Sequence, residues 1–506
     1  MKQDDLTKQQ NDYAVFLPAI SSFYAGYIGK ERHSQGLDEG RLPGGIGNME
    51  AMNWLNSQEA LFPYQWSLYS AGHANLDLSK FDAKEAMIRE RDPNTVMLAD
   101  SGGFQIAKGV WPADWTNPAD KEAERKRRMV LEWQQGIATY GMTMDIPTWT
   151  FRDPKAAAAS NIRSYEDAVY ATQYNNEYWI QNRTGDLRVL NVLQGGNHAE
   201  ADHWYDLMKG YCDPDQYERP FDGWSMGGQN MCDVHLVLKR LVHLIHDGLL
   251  EPGLHDWMHF LGTSKLEWAC LLTDIQRAIR EHHNPNFTIS FDCASPFLAT
   301  ANGQVYTKLR IEDRGKWSYM MQPTVDDKRF SGDQRAFRDA VIQEGIHSEF
   351  EDSPISKKLT VGDVCWYAPG MLNKVGKEGR TSWDSFSYAL LMGHNVWHHI
   401  RAVQEANRQY DAGVIPGMLV DEQFERVTFR ELVDKIFSQR DRKRSLAIIE
   451  HYNKYWNRII GTRGFTGKRT VNAHSQFNSL FAVEEDTSTD SEEFDTTLLD
   501  KLEESQ

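Results

Sequence analysis

At 506 residues, 41% apolar and 11% aromatic, the chain has enough material for one large barrel-sized domain and a smaller module. Its five cysteines (Cys212, Cys232, Cys270, Cys293 and Cys365) are odd in number and lack a paired spacing, which argues against a disulfide framework and for a reducing, cytoplasmic setting. The formal charge of −17 does not exclude nucleic acid, because it is unevenly placed: Glu484 to Gln506 hold ten acids and one lysine, whereas Arg440 to Thr470 hold nine Lys/Arg and two acids.

No apolar stretch follows a basic start at Met1 to Asp5, so no signal peptide is expected, and no run approaches the roughly 20 apolar residues of a membrane span. Tyr13 to Pro18 and Gln65 to Gly72 read as the first two strands. Short apolar runs then end on a polar or small residue, or a leucine, at Asp100, Asp145, Gln194, Gly227, Leu261 and Asp292, at intervals of 45, 49, 33, 34 and 31 residues. Each interval has the length of a βα unit, and segments such as Lys121 to Ile137 and Lys265 to Arg280 show helical periodicity. Two early strands and six later ones predict an α/β fold, a (β/α)8 TIM barrel over residues 1–310, whose active site gathers at the carboxyl ends of the strands. A mostly helical, basic module is expected over 311–480, loop-like to about Gly362 and then helical at Trp383 to Tyr410 and Thr428 to Ile459. The acidic tail over 481–506 reads as disordered.

Asp292 and Asp100 each close an apolar run. Two carboxylates on two strand ends are the minimum needed to break a glycosidic bond through a covalent sugar intermediate. Four segments carry a resemblance: Asp100-Ser-Gly-Gly-Phe-Gln105, Gln194-Gly-Gly196, Phe221-Asp-Gly-Trp-Ser-Met-Gly-Gly228, and Phe291-Asp-Cys-Ala-Ser-Pro296 with Asn302-Gly-Gln304. In order and near spacing they resemble the tRNA-guanine transglycosylase superfamily, over roughly residues 10 to 410. The resemblance implies a TIM barrel that exchanges guanine in a polynucleotide for a free 7-deazaguanine base. It implies that Asp292 is the nucleophile and Asp100 the general acid/base. Phe104 and Leu261 would press on the two faces of the base, Asp145 and Gln194 would bond its edge, and Gly227 and Gly228 would let backbone amides approach it. Ser101, beside Asp100, belongs to the same substrate-binding set.

Three departures qualify the resemblance. Leu298 and Ala301 stand where the family carries two tRNA-handling arginines, and an apolar residue cannot hold a phosphate. The family's structural zinc would fall on Asp363, Cys365, Ala368 and His394, so one ligand is lost and one has become a carboxylate. No cofactor is therefore required, and zinc is possible only through Asp363, Cys365 and His394 in a degenerate region spanning 363–394. Finally, Arg440, Arg442, Lys443, Arg444, Lys454, Arg458, Arg463, Lys468 and Arg469 interleave with Tyr452, Tyr455, Trp456 and Phe465, a pattern that suits phosphate contact and base stacking.

This combination is similar to the DNA-guanine transglycosylases of phages and bacteria, whose modified DNA escapes restriction. The expected partner is DNA, with tRNA as the alternative; no membrane partner is expected, and a homodimer is compatible with the family. An inactive transglycosylase-like subunit would have no need for two facing carboxylates. In a sugar-cleaving barrel hydrolase, the Gly227-Gly228 floor would suit a pyranose less well than a flat purine.

Overall fold

The computed structural model describes residues 11–33, 42–80, 85–301, 303–325, 328–341, 350–365, 383–423 and 425–459. Eight parallel strands build the centre: β1 (Val15–Pro18), β2 (Trp66–Ser70), β3 (Val96–Asp100), β4 (Tyr140–Met142), β5 (Arg188–Leu193), β6 (Gly223–Met226), β7 (Trp257–Phe260) and β8 (Thr288–Cys293). They pair in the order β1-β8-β7-β6-β5-β4-β3-β2. A parallel bridge between Ala19 and Leu68, with Ile20 N–H donating to Leu68 C=O at 2.9 Å, brings β1 back to β2. The predicted (β/α)8 barrel is present.

Strand periodicity of two decides what faces the barrel interior. Val15, Leu17, Leu68, Leu98, Tyr140, Met142, Leu190, Val192 and Trp257 form one buried cluster there, with Leu261 packed against it. Asp100 shares parity with Leu98, and Asp292 lies opposite Leu17 in the β1–β8 register. The same alternation that fills the barrel therefore aims both carboxylates at its carboxyl end.

Helices cover the outside, and those after β5 and β6 start from side-chain caps placed shortly after the strand. Asp233 accepts from Leu236 N–H at 3.2 Å, and Asn197 accepts from Glu200 N–H at 2.9 Å. Each such helix runs back from the carboxyl end of one strand to the amino end of the next.

Three expectations about the second half need correction. First, β9 (Gln304–Arg310) and β10 (Ser318–Pro323) form an antiparallel hairpin where loops were predicted. Second, Thr428 to Ile459 is three helices, Phe429–Phe437, Arg442–His451 and Asn453–Trp456. Asp441 accepts from Arg444 N–H at 2.9 Å and restarts the chain after Ser438, which breaks the single helix. Third, residue 310 does not separate two cores. The helix Ser385–Asp411 packs on β1 and on helices Ser22–His33 and Leu266–His282, so it occupies the place of the barrel's eighth helix. One hydrophobic cluster runs from Ala14 to Ile459.

Candidate functional site

The site is built at the carboxyl ends of the strands. Asp292, 9% exposed, receives two hydrogen bonds on the same oxygen: Gly262 N–H reaches Oδ1 at 2.9 Å and His259 Nε2 at 3.1 Å. The ring of His259 is fully buried, with Nδ1 2.8 Å from Ser290 Oγ, which also accepts from Trp257 Nε1 at 2.9 Å. Oδ2 of Asp292 faces no protein donor among the described residues. Oδ1 is therefore the anchored oxygen.

Asp100 ends β3 opposite Ser70, whose hydroxyl donates to Oδ2 at 2.8 Å. Burial pushes its carboxyl above the ordinary range and the nearby charge of Asp292 adds to this, while the Ser70 hydrogen bond opposes both. Such a group holds a proton more readily than an exposed aspartate. The barrel thus sets two carboxylates in different surroundings: Asp292 is held by donors, whereas Asp100 is biased towards the acid form.

Beside them, Asp145 lies in the loop after β4, three residues beyond the strand end, and accepts from Gln194 Nε2 at 2.7 Å. Burial drives its carboxyl up to about 7, and the charge of Asp100 contributes in the same direction. Asp100, Asp145, Gln194 and Asp292 are therefore brought together.

Gly227 and Gly228 are required by packing on the Gln194–Gly195 turn. A Cβ at Gly227 would lie 2.8 Å from Gln194 Nε2, and one at Gly228, where φ is +55°, would lie 2.5 Å from Gly195 C=O. Ser101 is fully buried and its hydroxyl has no hydrogen-bond partner among the described residues. Phe104 is half-buried and meets Trp149 edge-on at 6.0 Å between centroids. Leu261 is half-buried at the top of the barrel interior.

His259, Ser70 and Gly262 were not anticipated. His259 alternates with Trp257 and Leu261 and so shares their inward face, where its position alone reads as core.

Asp363, Cys365 and His394 are not brought together as a zinc site. His394 is fully buried, with Nδ1 2.8 Å from Ser353 Oγ and Nε2 2.9 Å from Tyr306 C=O, so both ring nitrogens are engaged. The Asp363 carboxylate closes a capping box with Thr360, and the Cys365 thiol points at Val325 C=O at 3.4 Å. Among the described residues no group of three His, Cys, Asp or Glu has the arrangement of a metal site, and these residues do not fit one. Ala368 lies outside the described residues.

The basic stretch is placed away from the site. Arg442 pairs with Asp247, which caps the end of the Val234–His246 helix, and that helix starts at Asp233 near the site and runs back along the barrel. Arg440, Arg442, Lys443 and Arg444 therefore sit at the opposite end of the barrel from Asp100 and Asp292. Tyr452, Tyr455 and Trp456 are buried in the core, where they cannot stack on bases. Arg463, Phe465, Lys468, Arg469, Asn302 and the acidic tail lie outside the described residues. Leu298 is 2% exposed and half-buried Ala301 packs on the same core, and neither apolar side chain can hold a phosphate.

Among the described residues no helix is long and apolar enough to cross a membrane. No protein-family model and no curated protein matches the chain.

Proposed function

We propose that the protein is a guanine transglycosylase that exchanges guanine in DNA for a 7-deazaguanine base. The observation that carries this reading is the asymmetric carboxylate pair: Asp292 anchored through Oδ1 alone, and Asp100 raised by burial. In the first step Oδ2 of Asp292 attacks C1′ of a guanosine turned out of the helix. The C1′–N9 bond breaks, its electron pair leaves with guanine, and Asp100 gives guanine a proton. In the second step the incoming base loses its N9 proton to Asp100 and attacks C1′, releasing the Asp292 carboxylate. Two inversions give net retention.

The surroundings support a flat purine. Asp145 in its ionised form accepts from the N1–H and 2-amino donors of guanine, and Gln194 holds that carboxylate in place. Leu261 and Phe104 supply apolar surface on either side. Buried Leu298 and half-buried Ala301, both apolar in place of phosphate-binding arginines, favour DNA over the tRNA that the superfamily modifies.

The test is exchange of labelled guanine placed in DNA or in tRNA, chased by unlabelled 7-deazaguanine bases. Loss of label from DNA alone is expected. Loss from tRNA alone would replace the substrate, and loss from neither would remove the activity. Asp292→Ala should reduce exchange to background while leaving the thermal unfolding profile unchanged. Asp292→Asn should give no protein–DNA adduct on a denaturing gel, whereas the unmodified protein does.

A further inference from the structure

The C-terminal basic stretch is at the wrong end of the barrel to hold a strand whose guanine enters the site. The charge and aromatic surface that do lie beside the site are on the loops after β3 and β4. Lys108 caps the helix Gly103–Ala107, which opens three residues after Asp100. Its ammonium lies 5.5 Å from the Phe104 ring centroid and 5.6 Å from that of Trp149. Trp149 is half-buried and opens the turn Thr150–Arg152, which is held by Arg152 N–H donating to Trp149 C=O at 2.9 Å.

Arg152 completes the rim. Its side chain is 48% exposed and reaches Glu200 only at 3.9 Å, while the other Glu200 oxygen accepts from Gly196 N–H at 2.8 Å. A Cβ on Gly196 would lie 3.1 Å from the Arg152 guanidinium, which puts that cation directly over the turn carrying Gln194. Two cations and one indole thus border the side of the site formed by Asp145 and Gln194.

We infer that this rim is the DNA-binding surface: Trp149 stacks on a base next to the displaced guanine, and Lys108 and Arg152 take the flanking phosphates. The inference rests on the proposed reading of the site as a guanine pocket. Its chemistry is sequence-tolerant, since any base presents a π-face to an indole and phosphates are read only as charge. It also supplies phosphate contacts to a chain with apolar residues at Leu298 and Ala301.

The experiment is a fluorescence-anisotropy titration of a labelled single-stranded oligodeoxynucleotide at several salt concentrations, run beside the exchange assay. Lys108→Gln with Arg152→Gln should weaken binding and lower the slope of log K against log salt by about 1.4, two single-strand phosphate contacts' worth. Trp149→Ala should weaken binding roughly 5- to 100-fold with the slope unchanged, and Trp149→Phe should recover most of it. Unchanged binding and slope in the rim variants, or a loss confined to a joint neutralisation of Arg440, Lys443 and Arg444, overturns the inference while leaving exchange activity to be judged separately. Rim variants that lose DNA binding in a protein that exchanges no guanine would uphold the surface and sink the proposed reaction. A protein that binds no oligodeoxynucleotide at all overturns the inference.

Discussion

Under the proposed function the buried carboxylate of Asp145 must be ionised to accept the donors of a guanine edge, yet burial first, and then the charge of Asp100, move its titration to about 7. The sign of the consequence follows directly. Below about pH 7 the protonated form predominates, so kcat/KM for the incoming base should fall about tenfold per pH unit on the acid side. Asp145→Asn should abolish that limb and lower the plateau; a limb that survives the substitution would assign it to another group. A raised carboxyl has the opposite effect on folding. Its contribution to stability is complete below the pKa of the unfolded chain and is lost as pH rises through about 7. Asp145→Asn should therefore stabilise the protein at pH 8 by about 2–4 kcal/mol, as measured by urea unfolding, with little gain at pH 4. Asp100, Asp145, Gln194 and Asp292 were legible because each follows an apolar run at the spacing of a βα unit. His259 was not, because a histidine inside Trp-Met-His-Phe reads as core until its partner, Asp292 on the next strand, is in place.

Among the elements, the helix Ser385–Asp411 carries the largest change from expectation. The resemblance made it the bearer of a zinc ligand, His394, but it is docked by hydrogen bonds. Asn395 Oδ1 accepts from Tyr306 N–H at 2.9 Å, and its Nδ2 lies 2.8 Å from Thr300 Oγ1, 3.1 Å from Gln304 C=O and 3.2 Å from Pro296 C=O. One side chain thereby ties the helix to β9 and to the short helix Ser295–Ala301 that follows β8. Asn395→Ala leaves several buried groups without partners and should cost about 3–5 kcal/mol, read as a shift in the urea midpoint. A cost below about 1 kcal/mol would show that the helix is held by apolar packing alone. The helix itself was visible from its periodicity, ending within one or two residues of the expected bounds. The hairpin β9–β10 was hidden by its charged composition, since Lys308 and Arg310 sit on its outer face while Val305 and Tyr306 are buried.

For the whole molecule, the second half is part of the barrel's stability. Asp274, on the helix Leu266–His282, receives Tyr410 Oη at 2.6 Å and Arg430 Nε at 2.7 Å, so helices from three parts of the chain meet at one buried carboxylate. A chain ending after Arg310 would expose the faces of β1 and of helices Ser22–His33 and Leu266–His282 that Ser385–Asp411 covers. It should fail to unfold cooperatively on heating, whereas the full chain should show one transition; a folded, cooperative fragment would restore the two-module division. The sequence alone determined the repeating βα rhythm, the barrel it implies and the acids at the strand ends, because these depend on local periodicity and on residue types with few other uses. Only the tertiary structure decided that Asp292 is anchored through one oxygen, that the aromatics at Tyr452 to Trp456 are core, that the basic stretch faces away from the site and that a late helix closes the barrel. Those outcomes depend on which distant segments meet, and contacts between residues hundreds of positions apart leave no local pattern to read.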